Sequence, residues 1–220
     1  MADLARVLDA AVDERPLLEH PFYQAWSEGK LTAEDLAFYS TQYWRQVEAF
    51  PGYLEALVDR LPNGDARGIV ADNLSDELDG DHAGLWKAFA AALGIGHGAL
   101  ESSAPEPETR SCVDAFSDGT LDSTIPFALG MLYGYESQTP AVSRTKVRGL
   151  REHYGIDGAG LAYFELHANL DVEHAGELAS ALARYTETAD GLEEARRGAR
   201  GGADAVWTLL DGVARARDIA

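Results

Sequence analysis

The segment YFELHANLDVEHAGELASALARY, residues 163–185, contains the pattern on which the fold prediction rests. On a helix, which turns about 100° per residue, His167, Asp171 and His174 fall within about 60° of one another. The same stripe carries apolar and aromatic side chains, namely Tyr163, Phe164, Leu170, Leu178, Leu182 and Tyr185. Other faces carry Glu165, Asn169, Glu173 and Arg184. The segment is therefore predicted to be a helix that directs two imidazoles and one carboxylate into a hydrophobic core.

Helical spacing continues over nearly the whole chain, and no stretch shows strand alternation or an internal repeat. Thr32, with Asp35 three residues later, predicts the start of a long helix that runs toward Leu61 with a kink at Pro51. Further helical regions are expected at 65–93, interrupted near Asp79, and from 124 to before 155, disturbed at Pro140. The longest loop is expected at 95–108. These signals predict an all-α fold, a single compact bundle of seven to eight helices that takes up residues 1–220 as one domain.

Composition excludes several classes of function. The 220 residues contain 18 Lys and Arg against 37 Asp and Glu, a net charge of −19, which disfavours binding to nucleic acid or to an anionic membrane surface. The single cysteine, Cys112, excludes an intramolecular disulfide framework and a cysteine-rich zinc site. The acidic N-terminal sequence is unlike a signal peptide, and no apolar run reaches the roughly 18 residues of a membrane span. A cytoplasmic protein is expected.

The buried charges of the 163–185 helix favour a metal site. One histidine on such a stripe is most simply a core histidine bonded to a backbone carbonyl. Three ionisable groups on one core-facing stripe are costly unless a common partner satisfies them. A metal ion does so, because neutral imidazole and carboxylate suit iron, manganese or zinc.

Two other segments supply candidate ligands. Glu136 shares a helical stripe with Leu129, Leu132 and Tyr133, so it is expected to be buried, with Arg144 as an alternative ion-pair partner. His82 also faces inward, on a stripe with Leu78, Leu85, Trp86 and Phe89, and it follows the acids Asp76, Glu77 and Asp79. Together the three segments offer three histidines and three carboxylates, the ligand set expected for two iron or manganese ions in a helical bundle.

Several of these segments also carry a family resemblance. They are HPFYQAWSEGKLT from His20, VEAFPGYL at 47–54, NLSDE before His82, LYGYESQTP around Glu136, SRTKVRGL around Lys146 and HANLDVEH at 167–174. In these motifs the chain resembles the haem-oxygenase-like di-metal oxidases, and within them the CADD-like group, relatives of the PQQ-biosynthesis protein PqqC. The resemblance implies a haem-oxygenase-like helix bundle with an Fe/Fe or Fe/Mn centre that uses O2 as co-substrate. A homodimer is compatible with it.

Carried over position by position, the resemblance implies six metal ligands: Glu77, His82, Glu136, His167, Asp171 and His174. One spacing departs from the family pattern. The first glutamate and its histidine are five residues apart here instead of seven, which on an unbroken helix places them about 140° apart. Either the chain unwinds near Asp79 and Gly80, or Asp79 is the ligand; Glu77 is chosen by resemblance.

CADD-like proteins make para-aminobenzoate for folate by an unusual route. They cut the ring from one of their own tyrosines and take the amino nitrogen from one of their own lysines. The matching positions are Tyr23 for the ring and Lys146 for the nitrogen, with Tyr39 and Tyr135 as further tyrosines expected near the metals. The simpler interpretations are a core tyrosine and a surface lysine, although Lys146 is one of only three lysines in the chain.

Two other functions remain open at this stage. The metals could act on an external small molecule, such as an amino acid or a fatty acid, as in other members of the superfamily. Alternatively, the protein could be a metal-free, PqqC-like oxidase or a binding module, because PqqC itself uses no metal.

Overall fold

The computed structural model describes residues 2–220, and over these residues the chain forms helices and no strand, which confirms the all-α prediction. Eleven α-helices occur in this part of the chain: α1 Ala2–Val12, α2 Pro21–Ser27, α3 Ala33–Arg60, α4 Asp65–Asp79, α5 His82–Ala92, α6 His97–Ser102, α7 Pro107–Leu121, α8 Ile125–Glu136, α9 Thr139–His153, α10 Ala162–Ala183 and α11 Ala189–Ala216. Two short 3-10 turns lie at Leu17–Glu19 and Gly158–Gly160.

The helices outnumber the seven to eight expected because several predicted interruptions are complete breaks. The 65–93 region separates into α4 and α5, and the region after 124 separates into α8 and α9 just before Pro140. Six of the fourteen residues in the expected 95–108 loop form the short helix α6. In contrast, α3 continues through Pro51 as one helix.

The start of α3 shows how local sequence fixes an element. The Thr32 hydroxyl accepts a hydrogen bond from the Asp35 backbone N–H at 3.1 Å, and the Asp35 carboxylate accepts one from the Thr32 N–H at 2.8 Å. This reciprocal pair is the predicted capping box, which satisfies two backbone donors that the first helical turn leaves unbonded. It sets the register of α3, the helix that carries Tyr39 and Tyr43.

Helices α8 and α11 pack unusually closely through glycines on both partners. A Cβ atom at Gly134 would lie 2.0 Å from the carbonyl oxygen of Ala199, and one at Gly198 would lie 2.0 Å from that of Phe127. Only glycine permits backbones to approach to this distance. The contact fixes α8, and with it the side chains of Tyr135 and Glu136 that follow Gly134.

Large aromatic side chains fill the core between α2, α3, α5 and α10, with Trp26, Trp86, Tyr23, Tyr39 and Phe164 less than 2% exposed. Charged groups lie in the same interior: Glu136, Lys146 and Asp171 are each no more than 3% exposed.

None of the helices described is both long enough and apolar enough to cross a membrane.

Candidate metal centre

Helix α10 places its charged stripe inside the protein. His167, Asp171 and His174 are each 3% exposed, whereas Glu165, Asn169 and Glu173 on the other faces are exposed. The apolar residues Phe164, Leu178 and Leu182 pack into the core on the same side. The stripe therefore supplies three potential ligands in a dry environment, where unpartnered charge is costly.

Glu77 of α4 lies between two histidines from different helices. Its Oε2 is 2.9 Å from Nδ1 of His82, and its Oε1 is 3.9 Å from Nε2 of His167. The two imidazole rings meet edge to face with their centres 4.7 Å apart. Ligand atoms of these three residues all lie within 4.8 Å of one another, so the three side chains could hold one metal ion together.

The break between α4 and α5 compensates for the short spacing of Glu77 and His82. Helix α4 ends at Asp79, and Asp81 adopts a left-handed conformation, φ 47°, from which its carboxylate accepts the Gly84 N–H and begins α5. Asp79 is exposed and accepts a hydrogen bond from Ser75 at 3.1 Å. The chain thus unwinds where the sequence allows it, and Glu77, not Asp79, faces the histidines.

Glu136 and Asp171 lie beside the same group. Both line a cavity of about 10 Å³ together with Glu77, His167 and Tyr135. One oxygen of Glu136 accepts a hydrogen bond from the Asn73 amide at 2.9 Å. The alternative partner, Arg144, is exposed and donates to the carbonyl of Ala168. No arginine among these contacts neutralises Glu136.

The carboxylates influence one another strongly. Burial would raise the pKa of Glu77, but its contacts with the imidazoles of His167 and His82 outweigh burial and lower that pKa to about 2. Burial raises the pKa of Glu136 to about 8; the Asn73 hydrogen bond opposes this rise, and the charge of Glu77 adds to it. Burial, followed by the charges of Glu136 and Glu77, raises the pKa of Asp171 well above its usual range. A divalent cation would relieve this repulsion.

Two buried atoms of the group have no hydrogen-bond partner within residues 2–220: Oε2 of Glu136 and Nδ1 of His82. The 2.9 Å contact of His82 with Glu77 therefore lacks hydrogen-bond geometry, as expected when two lone pairs point to a common ion. Buried groups are rarely left unsatisfied. Together with the nitrogen and carboxylate chemistry of the set, these orphaned atoms fit iron or manganese.

The predicted tyrosines and lysine separate into two neighbouring groups. Tyr135 lies at the cavity, whereas Tyr23, Tyr39 and Lys146 form a buried cluster beside it. Lys146 Nζ is 2.6 Å from the Tyr39 hydroxyl, and that hydroxyl is 3.5 Å from the hydroxyl of Tyr23. The lysine is thus a core residue, contrary to the simpler interpretation that it lies on the surface.

Tyr43 connects the two groups. Its hydroxyl donates to that of Tyr135 at 3.1 Å, and its ring centre is 4.9 Å from Lys146 Nζ. Trp86 packs against a tyrosine of each group: its ring centre lies 5.1 Å from that of Tyr43 and 4.9 Å from that of Tyr163. A continuous set of aromatic contacts therefore links the cavity to Lys146.

Burial lowers the pKa of Lys146 well below its usual range. The faces of four rings oppose this shift by attracting an ammonium ion, but no carboxylate lies among these contacts to add to that attraction. Burial therefore favours the neutral amine, the nucleophilic form. Burial also raises the pKa of Tyr23 and Tyr39, which keeps both hydroxyls protonated.

Sequence reasoning did not assign roles to Asn73, Tyr43 and Tyr163. Tyr163 stacks on His167 at 4.1 Å, and its carbonyl oxygen is 2.7 Å from Nδ1 of that histidine. Each of the three lies one helical turn from a predicted site residue. Asn73 is four residues before Glu77, Tyr43 is four after Tyr39, and Tyr163 is four before His167. This i, i+4 relation is the signal that could have found them.

Comparisons with known sequences identify the family of the chain. Residues 37–207 match a family described as iron-containing redox enzymes. The chain is 40% identical over 173 residues to a 4-aminobenzoate synthase of Chlamydia muridarum, covering 77% of this chain and 73% of the relative. It is 36% identical over 218 residues to a 4-aminobenzoate synthase of Nitrosomonas europaea, covering 94% and 89%.

A solved structure shows the same fold. A CADD-like protein of unknown function from Nostoc punctiforme superposes with a TM-score of 0.81 at 18% identity, covering all of both chains. The chain therefore belongs to the family of iron-containing redox enzymes, and within the haem-oxygenase-like fold to its CADD-like group, as the sequence predicts.

Proposed function

We propose that this protein makes para-aminobenzoate, for folate synthesis, from its own Tyr23 and Lys146, using O2 and two metal ions. One observation carries the proposal: the Lys146 amine is buried 5.1 Å from the centre of the Tyr23 ring. Relatives named 4-aminobenzoate synthase at 36–40% identity support the same product.

The chemistry of the product defines what each residue must supply. Para-aminobenzoate is a benzene ring with an amino group opposite a carboxylate. In the tyrosine side chain a hydroxyl stands opposite Cβ, so Cβ becomes the carboxylate carbon and the bond from Cβ to Cα is cut. The lysine nitrogen replaces the hydroxyl, which leaves as water, and the bond from Cε to Nζ of Lys146 is cut, which leaves an aldehyde at Cε. Oxidation of Cβ to a carboxylate and of the lysine Cε both need O2 as the oxidant.

Tyr39 orients the two reacting groups. Its hydroxyl contacts both the Lys146 amine and the Tyr23 hydroxyl, so it directs the amine toward the end of the ring where nitrogen must arrive. Lys146 Nζ is also about equally far from the ring centres of Tyr39, at 5.1 Å, and Tyr43, at 4.9 Å. The choice of Tyr23 among the three rings rests on the family resemblance.

Six residues would hold the metals: Glu77, His82, Glu136, His167, Asp171 and His174. When bound, Fe/Fe or Fe/Mn would supply the reduction of O2 and the oxidising equivalents. The chain's own contribution is a dry enclosure, in which Tyr135, Tyr163 and Phe50 close the cavity around the ligand atoms.

The size of the cavity argues against an external substrate. The cavity at the ligand atoms measures about 10 Å³, enough for about one water molecule and far below the roughly 300 Å³ at which small-molecule pockets begin. A groove of about 640 Å³ lies between α9 and α10, lined by Arg144, Arg148 and Arg151 among others, and shares no lining residue with the ligand set. The buried, unneutralised carboxylates likewise argue against the metal-free alternative.

The test is an intact-mass measurement on metal-loaded protein. Protein prepared without O2 is loaded with ferrous iron, or with iron plus manganese, and then exposed to O2. One para-aminobenzoate per chain should form as the protein mass falls, and peptide mapping should place the loss at Tyr23. Tyr23→Phe and Lys146→Arg should stop product formation.

Matched controls use residues outside the cluster. Lys87→Arg changes an exposed ion pair with Glu101, and Tyr154→Phe changes a half-buried tyrosine at the end of α9. Both should give the parent yield. If Tyr23→Phe and Lys146→Arg also give that yield, the side chains are not the source of the product.

A further inference from the structure

Asp76 contacts a candidate ligand from outside the ligand set. Its Oδ2 lies 3.2 Å from Nε2 of His174, joining the last turn of α4 to α10. The Asp76 side chain is 54% exposed, whereas that of His174 is 4% exposed. The carboxylate therefore reaches from the surface to an imidazole that is otherwise enclosed.

This contact determines which nitrogen of His174 is available. If Nε2–H donates to Asp76, the lone pair is left on Nδ1, which lies on the Asp171 side, 3.9 Å from its Oδ1. His167 has the opposite arrangement: its Nδ1–H donates to the Tyr163 carbonyl, which leaves Nε2 facing Glu77. The two histidines of one helix would then carry their protons on different ring nitrogens.

The hydrogen-bond partners of the two histidines also differ. The partner of His167 is a backbone carbonyl of the same helix, present whenever α10 is folded. The partner of His174 is a charged side chain from another helix, adjacent in sequence to Glu77. One turn of α4 therefore carries both Glu77, a candidate ligand, and Asp76, whose carboxylate holds the candidate ligand His174 on α10.

We propose that Asp76 is the positioning residue of His174: its carboxylate fixes the Nε2–H tautomer and presents Nδ1 to the metal. This inference rests on the two-metal centre proposed above. Carboxylate partners of metal-binding histidines commonly orient the ring and raise its basicity, and their loss weakens metal binding about 10–100-fold. The exposure of Asp76 makes it removable without opening the core.

The metal test compares variants of equal charge. Binding of Mn²⁺ to the metal-free protein is followed by equilibrium dialysis and metal analysis. Asp76→Ala should weaken one of two Mn²⁺ sites about 10–100-fold and leave the other unchanged. Asp76→Asn should weaken it less, because its amide oxygen still accepts Nε2–H. The control Asp79→Asn removes the same charge from the same turn and should match the parent.

A second readout needs no metal. Side-chain ¹⁵N NMR of the metal-free protein at mildly alkaline pH should show Nε2–H for His174 and Nδ1–H for His167. In Asp76→Ala, His174 should no longer be held in one tautomer, whereas His167 should be unchanged. Failure of the parent to bind Mn²⁺ would contradict the metal centre and leave this NMR result to decide the tautomer claim.

Three results would overturn the inference. The first is an unchanged His174 tautomer in Asp76→Ala. The second is an equal loss of Mn²⁺ binding in Asp76→Ala and Asp79→Asn, which would indicate a general effect of charge. The third is loss of one site to the same extent in Asp76→Asn and Asp76→Ala, which would make Asp76 a ligand itself.

Discussion

The amine of Lys146 lies 2.6 Å from the hydroxyl of Tyr39, surrounded by four aromatic rings whose centres are 4.9–5.1 Å away. A buried lysine side chain loses up to about 2 kcal/mol of rotamer entropy when it is held in one place. It is held here without a carboxylate among these contacts. This arrangement is better suited to an amine with a chemical role than to an amine that only stabilises the fold.

Tyr39→Phe should slow product formation without changing its final amount. The variant removes the hydroxyl that orients the amine, a hydrogen bond worth about 1 kcal/mol, which corresponds to a rate loss of roughly five- to tenfold. The reacting ring and nitrogen remain. The measurement is the time course of para-aminobenzoate release after O2 is added to metal-loaded protein.

Tyr23→Phe serves as the comparison for this experiment, because it should give no product at any time. If Tyr39→Phe also gives none, and peptide mapping of the parent finds Tyr39 altered, Tyr39 and not Tyr23 supplies the ring.

Lys146→Met should change how stability depends on pH. Because burial lowers the pKa of Lys146 in the folded state, the unfolded chain binds more protons between that lowered pKa and about 10.4. Parent stability therefore rises with pH in this window relative to Lys146→Met, by up to about 1.4 kcal/mol per pH unit. Met has a similar shape and no charge, so it should be the more stable form near neutral pH.

Urea unfolding of the metal-free proteins at about pH 7 and about pH 9 measures this difference. Other titrating groups are common to both proteins and cancel. A difference in unfolding free energy that stays constant between the two pH values would mean that the amine is charged in the fold.

Metal should stabilise the protein, and Glu77→Gln should lose most of that effect. A ligand present at about 100 times its dissociation constant adds about 2.7 kcal/mol, or roughly 5–10 °C in Tm for a chain of this size. Glu77 contacts both His82 and His167, so its neutral replacement removes the charge that balances the ion. Differential scanning fluorimetry with and without Mn²⁺ is the measurement, with Asp79→Asn as the control that retains the shift.

Gly134→Ala should destabilise the protein by about 1–3 kcal/mol, because its Cβ would press on the Ala199 carbonyl oxygen and separate α8 from α11. Gly176→Ala on α10 is the matched control. A Cβ there meets nothing within 4 Å, so stability should stay the same or rise by up to about 1 kcal/mol. Thermal unfolding of both variants checks the pair, and equal Tm values would show that the close helix contact is not required.

Helical periodicity was enough to predict the all-α fold and the inward stripe of His167, Asp171 and His174. Local rules also predicted the Thr32 capping box, because it depends only on residues three apart. The sequence predicts too few helices, because a glycine or proline between two helical segments gives the same sequence pattern whether it bends a helix or ends it. Pro51 lies inside α3, whereas the chain breaks just before Pro140.

The site depended more on tertiary contacts. Spacing alone put Glu77 and His82 on different faces of a helix, and only the left-handed residue Asp81 brings them together. The Asn73 contact with Glu136 and the Asp76 contact with His174 join residues 63 and 98 positions apart. No local pattern encodes such pairs, since they arise from how α4 packs against α8 and α10.

The most direct test of the account is the origin of the product nitrogen. Protein labelled with ¹⁵N only in its lysine side chains is loaded with iron or with iron and manganese, and is exposed to O2 once in the presence of unlabelled ammonia and amino acids. The account predicts one para-aminobenzoate per chain, carrying ¹⁵N, and a chain altered at Tyr23 and Lys146. Unlabelled product, or repeated turnover by a chain of unchanged mass, would contradict it.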